Sequence, residues 1–131
     1  MRTWLCALGA AILLAGCASV DSVKDAKGQG VKRVFRQPYD AVYEAVLNAA
    51  ARRKLELVEQ DRAAGRVVLS GPASWTSLGE HIAVFVTRGN DRSTTVEVVS
   101  KPVGGALTFP PDWPALLFGD IEQELTPKRP R

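Results

Sequence analysis

From Pro38 to Ser70 the chain reads PYDAVYEAVLNAAARRKLELVEQDRAAGRVVLS, and a change of period inside that stretch decides the fold. Tyr39, Val42, Tyr43, Val46 and Ala50 recur at helical spacing, which places them on one side of a helix over residues 39–54. Pro38 sets a helix-compatible φ ahead of it, and Asp40 puts a carboxylate in the first turn. Arg52, Arg53 and Lys54 complement the negative end of the dipole. From Leu55 the period drops to two. Leu55-Glu56-Leu57-Val58-Glu59 and Arg66-Val67-Val68-Leu69-Ser70 read as strands on either side of a turn containing Gly65.

Working outward, Val31–Arg36 has strand content in Val31, Val34 and Phe35. Downstream, residues 82–87 and 94–99 alternate around Arg88-Gly89-Asn90-Asp91-Arg92, a hairpin signal. After Pro110-Pro111, Asp112 can cap a helix to about Leu125, burying Trp113, Leu117, Ile121 and Leu125 with Phe118 adjoining. The expected order is β-α-β-β-β-β-α: a single layered α+β domain over residues 31–125, its antiparallel sheet carrying two helices on one face. Leu57, Val67, Leu69, Ile82, Val84, Val86, Val96 and Val98 would line the covered face. The other face would carry Val58, Val68, Phe85 and Val99 among Glu56, Arg66, His81 and Glu97.

Composition agrees with one domain. The 131 residues are 46% hydrophobic and 24% charged, which excludes wholesale disorder. Seventeen basic and fourteen acidic side chains are mixed along the chain, so no basic patch argues for nucleic acid as a partner.

The N-terminus carries an address. One charge, Arg2, precedes an apolar run from Trp4 to Gly16, only 13 residues where a spanning helix needs about 20. Residues 1–16 therefore read as a signal peptide. Leu14-Ala15-Gly16-Cys17 resembles the lipobox of bacterial lipoproteins, which implies cleavage before Cys17 and lipidation of its thiol. Cys6 would leave with the leader, so the mature chain would hold neither a free thiol nor a disulfide. Ala18-Ser19 follow Cys17, where an Asp often retains such proteins in the inner membrane; the resemblance thus implies the periplasmic face of the outer membrane. Residues 17–30, ending in glycines, read as the lipidated cysteine and a flexible tether, and residues 126–131 as a disordered basic tail.

A wider resemblance rests on the opening Pro38-Tyr39-Asp40-Ala41-Val42-Tyr43-Glu44-Ala45-Val46, the following strand, Gly65 and the hairpin strands. This pattern resembles small bacterial envelope lipoproteins with BamC-like α+β domains, accessory to the outer-membrane protein assembly machine. It covers residues 32–125 as an order of elements, with one such domain where that family has two.

The inventory for catalysis is poor. His81 is the single histidine, and Glu80 beside it in a strand points to the opposite face. No Gly-x-Ser-x-Gly elbow and no phosphate-binding glycine loop occur. With Cys17 used, a transition-metal site lacks ligands, so no metal and no cofactor is expected beyond the covalent lipid. Binding signals are Phe85, Val58, Val68 and Val99 on the face expected to be wet, and two apolar-tipped loops. Residues 70–79 carry Trp75; residues 102–111 carry Leu107 and Phe109. Trp75 and Phe109 either fold back over the core edge or offer a partner surface. The expectation is a lipid-anchored, non-catalytic interaction module engaging other envelope proteins, with a carrier or sensor of a small apolar ligand as the alternative.

Overall fold

The order of elements fits the change of period. The computed structural model describes residues 20–75, 77–104 and 109–128. A short helix α1 (Val20–Lys24) precedes β1 (Val31–Phe35), α2 (Tyr39–Arg52), β2 (Glu56–Asp61), β3 (Arg66–Gly71), β4 (Glu80–Arg88), β5 (Thr94–Pro102) and α3 (Trp113–Leu125). The five strands form one antiparallel sheet in the order β1-β5-β4-β3-β2. Because β1 and β2 are opposite edges, α2 crosses the sheet between them. Its start is organised by the Pro38 carbonyl, which accepts the Val42 N–H at 3.1 Å. The Asp112 carboxylate caps α3 by accepting the Ala115 N–H at 3.2 Å.

Period two sorts the sheet residues cleanly. Val67, Leu69, Ile82, Val84, Val86, Val96 and Val98 share one core with Val42, Tyr43 and Val46 of α2 and with Trp113, Leu117, Phe118 and Ile121 of α3. Both long helices therefore lie on one face. The α2–α3 contact is fastened by Arg53, whose Nε and Nη2 donate to the Asp120 carboxylate at 2.5 and 2.9 Å. That guanidinium holds the buried Asp120 carboxyl below the ordinary aspartate range, outweighing the opposing effect of burial.

Leu57 departs from its expected place. It is exposed, and no residue of β2 joins the core among the described residues. The register explains this: Leu57 pairs with Leu69 but Glu59 with Val68, so Val58 is an extra residue in a bulge. A bulge on an edge strand turns its side chains away and blunts the edge against further pairing.

The second departure is larger. The stretch read as a flexible tether is, from Val20 onward, part of the folded domain. Val23 and Ala26 are buried against Val68, Ala83, Phe85 and Val99, with Val20 packed beside them. The face expected to be wet is thus covered along its middle by the chain's own preceding segment. Apolar strand positions favour such a cover, since leaving them in water costs roughly 25 cal/mol per Å². Glu97, expected in solvent, is buried and accepts the backbone N–H groups of Gly28 and Gly30 at 2.9 and 3.0 Å. At Gly30 the chain passes so close to β5 that a Cβ would lie 2.4 Å from the Val98 carbonyl oxygen, so only glycine fits.

Polar side chains pin α1 as well. Lys24 Nζ donates to Glu59 Oε2 at 2.6 Å, and Arg66 Nη2 to the other oxygen at 2.7 Å. Lys24 first, then Arg66, hold the Glu59 carboxyl below the ordinary glutamate range. Of the expected tail, Thr126 closes α3 through its N–H and hydroxyl to the Glu122 carbonyl. Residues 129–131 lie outside the described residues, as do residues 1–16, read above as a signal peptide, and Cys17.

Candidate interaction surfaces

The two ends of the sheet differ in chemistry. At one end, the β2–β3 and β4–β5 turns carry Arg62, Arg88, Asn90, Asp91 and Arg92, all exposed and polar. The other end is where β2 begins and where β3 and β5 finish: Glu56, Ser70, His81 and Lys101 stand in register there, followed by Gly71, Glu80 and Pro102. The loop over residues 72–79 and the chain between β5 and α3 both leave from this end. Trp75 is fully exposed there, Phe109 is 80% exposed and Leu78 is 66% exposed.

Trp75 and Leu78 belong to a hydrogen-bonded loop. Ser77 donates its hydroxyl to Glu80 Oε1 at 2.5 Å and accepts the Gly79 N–H at 3.1 Å. The Ser74 N–H reaches the Ser77 carbonyl at 2.7 Å, and the Val103 N–H reaches the Gly79 carbonyl at 2.9 Å. The loop is thereby tied to itself, to the start of β4 and to the exit of β5. Trp75 and Leu78 project from this hydrogen-bonded loop, and the folded-back alternative for Trp75 and Phe109 is not adopted. Leu107 lies outside the described residues.

The remaining site expectations divide. Val58 is 43% exposed at the β2 bulge beside exposed Leu57, so it stays available to a partner. Phe85 (5% exposed), Val68 and Val99 are buried under α1 and are not surface at all. A signal for this existed in the sequence: Val20, Val23 and Ala26 share one side of a helical turn, and Gly28-x-Gly30 permits close passage over a strand. Three apolar positions are too few to establish a period, so the signal had no weight by itself.

Glu80 and His81 do point apart. Glu80 is buried and engaged with Ser77, while His81 is half-buried on the opposite face. No cluster of three or more His, Cys, Asp or Glu able to hold a metal occurs among the described residues. Among them, too, no helix is long and apolar enough to cross a membrane. The space between α2 and the sheet, where a carried ligand would sit, is filled by Tyr43, Val46, Leu69, Ile82, Leu117 and Ile121, all nearly inaccessible.

No family model matches the chain, and no curated protein matches it in sequence. Among solved structures, it is similar to the crystal structure of the di-domain ARO/CYC StfQ from the steffimycin biosynthetic pathway. The TM-score is 0.46 at 13% identity, over 71% of this chain and 41% of that one. The chain thus spans about two fifths of that protein's length, and a likeness at this level says nothing about activity. The molecule is a small α+β domain with a five-stranded antiparallel sheet.

Proposed function

We propose that the protein is a lipid-anchored, non-catalytic interaction module at the periplasmic face of the outer membrane, accessory to the assembly or maintenance of the cell envelope. Its anchor is the acylated Cys17, and its partners are other envelope proteins. The observation that carries this is the set of large apolar side chains left exposed along the sheet edges around a well-filled core: Leu57 and Val58 on β2, Val31 and Val34 on β1. Contacts with other proteins fall to the sheet edges, where a bulged strand offers side chains without inviting indiscriminate strand addition.

The logic is effective concentration. Confinement to a membrane makes a weak contact productive, because the partner is already near. The carrier alternative has less support, since the region it needs is occupied by core side chains.

The test is photocrosslinking in intact cells with a photoreactive residue at Val58 or Val34. A discrete protein adduct is expected, and Cys17→Ser should abolish it by releasing the anchor. Absence of any protein adduct, with a small molecule retained in stoichiometric amount, would overturn the module in favour of the carrier.

A further inference from the structure

The loop end of the sheet and the exit of the membrane anchor coincide. Helix α1 begins at Val20, three residues beyond Cys17, a span of at most about 11 Å even when fully extended. Its direction is set by contacts with β5. Glu97, Val99 and Lys101 follow one another along the same face of that strand toward Pro102 at the loop end. Glu97 holds Gly28 and Gly30, whereas Lys101 Nζ donates to the Ser22 carbonyl at 2.9 Å. The helix therefore starts toward the loop end and runs away from it, so Val20, its first residue, lies toward the end of the sheet that carries Trp75 and Leu78.

From this geometry we infer that the loop end is a membrane-docking face, with Trp75, Leu78 and Phe109 seated in the interfacial region of the leaflet that holds the lipid on Cys17. This rests on the anchor assigned above. Tryptophan and other amphipathic or apolar side chains favour that depth, where the ring is dehydrated and polar atoms stay wet. The hydrogen bonds among Ser74, Ser77, Gly79 and Glu80 lower the cost of ordering Trp75 and Leu78 at the moment of contact. Exposed Lys54 lies near this end, but so do exposed Glu56 and Asp112, so insertion depends on apolar contact and not on anionic lipid. The opposite, charged end points away from the bilayer. The sheet edges stay open to proteins at the membrane surface.

The experiment uses the full-length product purified from membranes and reconstituted through its own anchor into phosphatidylcholine vesicles, with or without bromine on the upper acyl chain. With the leader removed, Trp75 and Trp113 are the only tryptophans, and Trp113 is buried in the core. Brominated lipid should quench the Trp75 emission and shield it from acrylamide, and Trp75→Leu should abolish the quenching. Adding anionic lipid should leave the quenching unchanged. An intact acyl mass on Cys17 with Trp75 unquenched and open to acrylamide would overturn the docking face while the anchor stands. An N-terminal mass without acyl chains would overturn both. A photoreactive residue at position 75 that labels a protein in cells, and no lipid, would assign this face to a protein and overturn the inference.

Discussion

Replacing Val23 by alanine tests the claim that the segment before β1 belongs to the fold. Val23 is fully buried against Val68, Ala83, Phe85 and Val99. Losing two carbons forfeits about 1.6 kcal/mol of transfer free energy at ~0.8 kcal/mol per methylene. With the cavity left behind, the cost is roughly 2 kcal/mol. If α1 opens as a unit while the sheet stays folded, this raises the open population about 30-fold, at 1.4 kcal/mol per factor of ten. Native-state hydrogen exchange reads it directly, because the Gly28 and Gly30 amides are bonded to Glu97 and are released only when the segment lifts. Their exchange should accelerate by that factor, and the amides of Val84 and Val98, released only on global unfolding, should accelerate by no more than the same factor and stay far slower throughout. Unchanged exchange at Gly28 and Gly30 would refute the packing account. Exchange at Gly28 and Gly30 as slow as in the central strands of the unmutated protein would refute the separate opening of α1.

Glu97→Gln should act on the same opening, weakening two charge-assisted hydrogen bonds by about 1–2 kcal/mol in total, read as faster exchange of the same two amides. The Arg53–Asp120 pair sets an acid dependence. Because the native carboxyl lies below its unfolded value, it contributes stability that is present above the ordinary aspartate range and lost as pH falls through the lowered native value. Asp120→Asn should cost about 1–2 kcal/mol at neutral pH, Arg53 being partly exposed. It should also flatten that part of the pH profile in urea titrations. Gly65→Ala should destabilise by roughly 1–3 kcal/mol in thermal melts, since φ is +70° and a Cβ would lie 2.0 Å from the Val86 carbonyl oxygen. Trp75→Ala and Phe109→Ala should leave stability within about 0.5 kcal/mol by chemical denaturation, as both side chains lie outside the core.

What the sequence determined by itself is whatever depends on local period and turn chemistry. The helix from Tyr39, the paired strands around Gly65, the Asp112-capped helix and the face assignment of the inner strands all follow from side-chain direction alternating at 2 or at 3.6 residues. Exposed Trp75 and Phe109 were legible as loop residues. Their exposure was not, because a loop can fold back or stand out with the same composition. Only the tertiary structure decided what lies over the second face. Val68, Phe85 and Val99 alternate correctly whether they meet water, a partner or their own chain, and the occupant turned out to be Val20, Val23 and Ala26, far away in sequence. The same holds for Glu97, polar in sequence yet buried, because the groups that satisfy it are backbone N–H donors that no pattern of side chains announces. Leu57 fell outside the core for a related reason: a bulge is a property of two paired strands, and neither strand carries it alone.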